Sequence, residues 1–362
     1  MIRRKMAPAQ RITRKNEVIK MHVAFISMGA VGHVLASLPF VGELVKRGVR
    51  VSYFTAEHLR GQVAVSGADF YPVDSSLTNK GKADENIAEN MLAEIPLRFL
   101  SEGAVSVDQI LAVLEKDVPD LIVNDTMALS GRLVASYLDV PRIQFFTSYA
   151  ANEHYSTCMH WPKELEETEP RKKALALATE LQKKYKGKLL TTEEIFAGYG
   201  EYNIVTVEKS FQPMGETFGD EFFFAGAQIA DRAYDGDWVP PTNGKPLLYT
   251  SLGTLFNHWP EFYVMLFQAV KDMDINVLCS IGNTLKKEDL GEIPANVQLY
   301  EFLPQLEVLK HTRAFVSHAG IGSVMEAAWY GVPTCCIPQM DEQITTAKRV
   351  QELKAGRSEE HT

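Results

Sequence analysis

Cysteine is scarce. The chain holds four, Cys158, Cys279, Cys335 and Cys336, in 362 residues, with no Cys-x-x-Cys spacing. That excludes a disulfide-stapled secreted scaffold and the common zinc modules. Cys335 and Cys336 are neighbours on an apolar run and point to opposite faces of a strand. The four are read as buried thiols of a cytoplasmic protein. Positive charge is also short: 37 Lys and Arg stand against 46 Asp and Glu, a formal net charge of −9, the wrong sign for a nucleic-acid footprint. No apolar run approaches transmembrane length. The G-x-G-x-x-G fingerprint is missing as well. After the first apolar strand the chain reads Met28-Gly29-Ala30-Val31-Gly32, which argues against an NAD-dependent oxidoreductase, although Glu57 follows the second strand where a ribose-binding acid could sit.

What is present describes an ordinary globular chain, 46% hydrophobic and 23% charged, long enough for more than one domain. Residues 1–20 are basic, without apolar periodicity or the h-region of a secretory signal. They read as a probe of the start site: either Met21 is nearer the real start, or 1–20 is a disordered basic arm. His22–Ile26, Val49–Phe54 and Phe70–Val73 read as strands, with a helix opening at His33 and closing at Gly48. Two helical stretches are expected at Ile87–Leu100 and Val107–Leu114, separated by a break. Asp120–Asp125, Pro141–Phe146, Tyr202–Val207 and Phe222–Phe224 read as further strands, and the charged stretch after Pro170 as a helix. This β–α–β pattern implies a parallel, doubly wound α/β sheet. Residues 226–244 are rich in Asp, Pro, Gly and Asn and read as a linker between a domain at 21–225 and another at 245–356. The tail 357–362 looks foreign to the fold, and the native chain is expected to continue past about Gly356.

The second half is organised around Ser317-His318-Ala319-Gly320-Ile321-Gly322-Ser323-Val324-Met325-Glu326. An apolar strand stops at Ser-His, turns through glycines and starts a helix. Unpaired N–H groups and the helix dipole make such a place fit for an anion. His318 and Ser323 add side-chain donors. Glu326, one turn in, would repel a phosphate but can accept from neutral hydroxyls, an order that suits a nucleotide. In the first half His33 follows the first strand and Asp125 ends a later one, both at strand C-termini that face a crevice. A carboxylate on one imidazole nitrogen leaves the other able to take a proton from an alcohol.

The run from Phe302 to Val350, FLPQLEVLKHTRAFVSHAGIGSVMEAAWYGVPTCCIPQMDEQITTAKRV, resembles the donor-binding signature of the UDP-glycosyltransferases, on the bacterial macrolide-glycosyltransferase side. The resemblance reaches from Met21 to Leu353. It implies the GT-B fold, two Rossmann-like domains facing across a crevice, ended in this family by helices that cross back onto the first domain. It implies His33 as catalytic base and Asp125 as its partner. It places His318, Ser323 and Gly322 on the diphosphate, with Gly320, Ser251, Gly253 and Thr254 beside it. Glu326 falls at the ribose, Phe302 and Leu303 at the base, and Glu342 and Gln343 at the sugar hydroxyls, with Gln305 also among the donor-binding residues. The implied reaction is inverting transfer of a hexose, with glucose first, from a UDP-sugar to a bulky lipophilic alcohol or phenol such as a macrolide, polyketide or flavonoid. No cofactor, metal, nucleic-acid partner or stable membrane insertion is expected, and the protein would be a monomer or homodimer. Met28, Met91, Phe99, Met127, Phe146, Tyr149 and Trp161 are candidates to line the acceptor cleft. The different-class alternative is a truncated, non-catalytic fragment that binds nucleotide sugar without transferring it.

Overall fold

The computed structural model describes residues 21–75, 87–157, 163–187, 198–229, 238–253 and 258–359, except for the side chains of 87–92. Each half begins with an apolar strand. β1 (His22–Ile26) is buried at every position, as a central parallel strand must be when helices cover both faces. There follow α1 (Val31–Lys46), β2 (Arg50–Thr55), α2 (Arg60–Ala64), β3 (Asp69–Pro72), α3 (Ile87–Leu114), β4 (Leu121–Asp125), α4 (Leu129–Leu138), β5 (Arg142–Phe146), α5 (Glu169–Tyr185), β6 (Asn203–Val205) and β7 (Phe222–Phe224). They form a parallel sheet in the order β3-β2-β1-β4-β5-β6-β7.

The second half repeats the plan. β8 (Leu247–Ser251), α6 (Pro260–Val270), β9 (Asn276–Ser280), β10 (Val297–Tyr300), α7 (Gln305–Leu309), β11 (Ala314–Ser317), α8 (Ile321–Trp329), β12 (Thr334–Cys336), α9 (Asp341–Glu352) and β13 (Gly356–Ser358) follow in sequence. Their sheet, again parallel, is ordered β10-β9-β8-β11-β12-β13. In both sheets the winding reverses beside the first strand, between β1 and β4 and between β8 and β11. Each reversal opens a crevice at the strands' carboxyl ends. This is the GT-B arrangement that the sequence implied.

Because side chains alternate along a strand, the first sheet has two separate cores. Val23, Phe25, Val51 and Tyr53 pack under Val34, Leu38 and Val41 of α1. Ala24, Ile26, Phe54 and Ile122 pack against α3, α4 and α5 through Val107, Ile110, Leu129, Leu133, Ala174 and Ala178. A third core joins the halves. Phe146, Tyr149, Val205, Phe211 and Phe218 from the first meet Ile321, Val324, Met325, Ala347 and Val350 from the second. α9 supplies much of it, burying Gln343, Thr346, Ala347 and Val350, a stripe at helical spacing. Its Arg349 donates to the carbonyls of Phe211 and Ser210 at 3.2 and 2.7 Å.

Several expectations change. The two helical stretches at 87–114 are one 28-residue helix, α3. Its apolar stripe (Leu100, Val107, Ile110, Leu114) runs through Pro96 and Gly103 without losing register. Gly103 is where α3 crosses α4: a Cβ there would stand 3.3 Å from the Ser130 nitrogen. α1 begins at Val31, two residues before His33. In α5, Ala178 and Leu181 are core while Leu175 is 51% exposed, so the charged stretch folds as a helix that seals the first core with one side. The sheet does not stop at Gly356: Gly356–Ser358 pair in parallel with Thr334–Cys336. They lie so close that a Cβ on Gly356 would be 1.9 Å from the Thr334 oxygen. The expected loop at 77–86 and the arm at 1–20 lie outside the described residues, as does Cys158. Burial pushes the Cys279 and Cys336 thiols up to about 12, as expected of inert buried thiols, whereas Cys335 is half-buried. Among the described residues no helix is long and apolar enough to cross a membrane.

Gly131 decides how closely α4 sits on β4, since a Cβ there would be 2.3 Å from the Asn124 Cβ. Gly131→Ala should therefore destabilise the first domain by about 1–3 kcal/mol, read as a lower midpoint in urea unfolding. An unchanged midpoint would mean that α4 can retreat from the sheet without loss.

Candidate active site

Asp125 closes β4 and is fully buried. A buried carboxylate must find donors, and two loops supply them. From the turn after β1, the Met28 N–H donates to Oδ2 at 3.2 Å and the Ser27 hydroxyl at 3.5 Å. From its own turn the Met127 N–H donates to Oδ1 at 3.0 Å. The remaining partner is His33, whose Nδ1 lies 2.8 Å from Oδ2. An ionised carboxylate requires the hydrogen to be on Nδ1, so Nε2 keeps its lone pair. The His33 side chain is 20% exposed. Burial of the ring disfavours its charge, but Asp125, with a smaller contribution from Glu342, outweighs this and raises its proton affinity above the ordinary histidine value. The sequence-predicted pair is therefore brought together, and the first turn of α1 holds it at the reversal of the first sheet.

At the reversal of the second sheet, β11 ends in Ser317 and α8 starts at Ile321 with no side-chain cap. Gln305, from α7, ties the predicted residues into one cluster. Its Nε2 donates to the Ser323 hydroxyl at 3.1 Å and to the Glu326 carboxylate at 2.7 Å, and its Oε1 accepts from the Tyr249 hydroxyl at 3.3 Å. Glu326 is 6% exposed. Burial pushes the His318 imidazole down to about 4, with a partial counterweight from the Ser251 backbone, so the ring is neutral near pH 7. Two glycines clear its space. A Cβ on Gly253 would stand 2.6 Å from the ring, and one on Gly320 would stand 2.5 Å from Nε2. Gly253, at φ 81°, thus makes room for an imidazole in a turn that only glycine takes without strain. The strained turn residue is Ala319, at φ 64°, and not Gly320. Gly322 lies inside α8, where a Cβ would meet nothing.

Phe302 stands at the rim, 53% exposed, and Leu303 is buried beneath it. Gln343 uses its Oε1 to accept from the Gln339 N–H at 2.8 Å. Glu342, in the first turn of α9, reaches the other half and accepts from the Ser148 hydroxyl at 2.7 Å. Thr254 lies outside the described residues.

The acceptor candidates fare differently. Met28 and Met127 sit beside Asp125 through their backbones. Phe99 is half-buried against the core behind α3. Phe146 and Tyr149 do not line a cleft: they are 2% and 5% exposed within the core that joins the halves, and the Tyr149 hydroxyl donates to Thr346 at 3.2 Å. Trp161 and the Met91 side chain lie outside the described residues. Sequence reasoning passed over Thr147 and Ser148, which follow β5 directly. The signal was a polar pair at the carboxyl end of a parallel strand, next to those already chosen. The chain also contains Asp235-Gly236-Asp237 and Asp272-Met273-Asp274, so lack of an Asp-x-Asp triplet gives no ground for expecting metal-free chemistry. The first triplet lies outside the described residues, and Asp274 of the second pairs with Lys245 at 2.6 Å, each just before its strand, β9 and β8.

Residues 264–362 match the family model of the erythromycin biosynthesis protein CIII-like C-terminal domain. The chain is 34% identical over 343 residues to the NDP-glycosyltransferase YjiC of Bacillus licheniformis, covering 93% of this chain and 84% of that protein. It is 32% identical to the demethyllactenocin mycarosyltransferase of Streptomyces fradiae, covering 92% and 75%. Among solved structures, the calicheamicin glycosyltransferase CalG4 superposes with a TM-score of 0.79 at 31% identity, covering 94% and 85%.

The His33–Asp125 pair has a pH signature. The folded-state value is raised, so the stabilisation from this pair is fully present below the unfolded value of 6.5 and is lost as pH rises through the folded one. Asp125→Asn leaves burial opposed by Glu342 alone, and the His33 Cε1 proton should then titrate at lower pH by NMR. An unmoved midpoint would remove Asp125 as the cause.

Proposed function

The chain belongs to the macrolide-type NDP-glycosyltransferase family of GT-B enzymes, and we propose from that footing that it moves a hexose, with glucose as first choice, from a UDP-sugar to a hydroxyl of a lipophilic small molecule. The observation that carries this reading is the placement of two complementary sites at the two sheet reversals, joined by the 2.7 Å contact between Ser148 and Glu342. One site can take a proton, and the other can hold a nucleotide diphosphate.

In this reading Nε2 of His33 removes the proton from the acceptor hydroxyl. Asp125 and its three donors stabilise the imidazolium that results. The acceptor oxygen attacks the anomeric carbon as the bond to the diphosphate oxygen breaks, and the electron pair leaves with UDP. Attack from the face opposite the leaving group inverts the configuration. His318 donates to the diphosphate, and the uncapped N–H groups at the start of α8, with Ser323, meet its charge. Glu326 accepts the ribose hydroxyls, oriented by Gln305. Glu342 and Gln343 meet the sugar. The two sheets, within 22–224 and 247–358, serve as the acceptor and donor domains of a cytoplasmic enzyme.

A UDP-release assay with UDP-glucose and a panel of phenols and macrolides, run in EDTA, tests the assignment. His33→Ala should lower turnover by about 10²–10⁴-fold while UDP still raises the melting temperature. Full turnover in the variant would remove His33 as the base, and loss of wild-type turnover in EDTA would reveal a required metal.

Glu326 also sets the nucleotide. A 2′-deoxyribose offers its buried carboxylate one hydroxyl fewer, so dTDP-glucose should show a kcat/KM about 10–100-fold below UDP-glucose. Glu326→Ala should narrow that ratio. Equal use of both donors by the wild type would mean that Glu326 does not read the 2′-hydroxyl.

A further inference from the structure

Thr147, the first residue after β5, places its Oγ1 3.0 Å from the same His33 nitrogen that contacts Asp125. A ring nitrogen carries one hydrogen. The Asp125 carboxylate is buried, takes hydrogen bonds from Ser27, Met28 and Met127, and claims that hydrogen. The Thr147 hydroxyl therefore cannot donate to Nδ1 and can only accept a share of the N–H. Its own proton therefore points away from the ring. The next residue, Ser148, is held from the opposite side of the crevice, where its hydroxyl donates to Glu342 at the start of α9. α9 in turn is fixed to the first half by Tyr149–Thr346 and by Arg349 on the 210–211 backbone.

We propose that Thr147 is a positioning residue for the base: it orients the His33 ring as second acceptor of the Nδ1 hydrogen, and its own place is set by the second domain through the Ser148–Glu342 contact. The inference rests on His33 being the base, and it adds a link between domain approach and proton transfer. When α9 is seated, Ser148 is tethered, Thr147 is in reach of the ring, and Nε2 is aimed. When α9 withdraws, Asp125 still holds one edge of the ring, but the second restraint is lost. The charged groups acting on His33 are Asp125 from β4 and Glu342 from α9. An oxygen that accepts from the imidazolium adds to their effect, so its removal eases deprotonation while it loosens the ring.

The test compares Thr147→Val, Thr147→Ser, Ser148→Ala and the Thr147→Val/Ser148→Ala double variant in UDP release against pH, with UDP-glucose and an acceptor used by the wild type. Thr147→Val keeps the shape and removes the oxygen. It should lower kcat by about tenfold, the scale of one hydrogen bond to a charged group. Both KM values should stay within about twofold, and the acidic limb of the kcat profile should shift to lower pH. Thr147→Ser should recover most of the rate. Ser148→Ala should lower kcat by a smaller factor, and the double variant should be no slower than Thr147→Val alone, because both changes act on one link. A UDP-induced rise in melting temperature equal to the wild type's in each variant shows that the fold and donor site persist. Wild-type kcat in Thr147→Val, or an unmoved acidic limb, overturns the role of Thr147. Multiplicative losses in the double variant overturn the link through Ser148. A wild type that releases no UDP with any acceptor overturns the transferase reading itself, whereas an active wild type indifferent to position 147 overturns only this inference.

Discussion

Everything at the centre of this molecule depends on one carboxylate having no access to water. Asp125 is fully buried at the end of a central strand, and stripping a charge of its hydration costs several kcal/mol unless dipoles replace it. The replacements come from two separate turns and one helix, so the loops after β1 and β4 must converge for the chain to fold at all. That convergence is also what aims His33. The same demand that stabilises the first domain assembles the His33–Asp125 pair, and the sheet reversal between β1 and β4 is the place where the demand can be met.

The second domain meets a different constraint. The cluster at its sheet reversal is polar and depends on Gln305 to keep Ser323 and Glu326 in one geometry, yet the domain must stay close to the first. α9 reconciles the two. Its apolar stripe enters the shared core, its Arg349 holds the first half's backbone, and its first turn carries Glu342 and Gln343 toward the crevice. Seating of the helix and presentation of the two polar side chains are one event.

The sequence was legible where chemistry and strand geometry coincide. Asp125 ends an apolar strand and His33 lies in the first turn of the helix after another, and parallel strands place their carboxyl ends on one side, so the pair could be read from position. Gln305 and Glu326 were legible through a long motif. The rest depended on information no local pattern carries. Thr147 and Ser148 have partners 114 and 194 residues away in the chain, one on α1 and one on α9 of the other half, and only the tertiary fold brings them together. Phe146 and Tyr149 look like cleft aromatics by composition, because a core and an apolar pocket use the same side chains. Residues 87–114 resembled two helices because the stretch between Leu100 and Val107 was not read as helical, and Gly103 within it serves a close helix crossing. Gly320 resembled the turn residue, although Ala319 takes the left-handed conformation while Gly320 makes room for a ring.

The packing of His318 between Gly253 and Gly320 also constrains how the protein can vary. At either glycine even one methyl group would overlap the imidazole, so neither position can drift while the histidine stays. A variant that first shortened the histidine would open Gly320 to substitution, and that later change would block the ring's return, whereas Gly253, at φ 81°, would still be held to glycine by its left-handed backbone. His318 and Gly320 therefore act as a single heritable unit, and the order in which they change decides whether the change can be reversed.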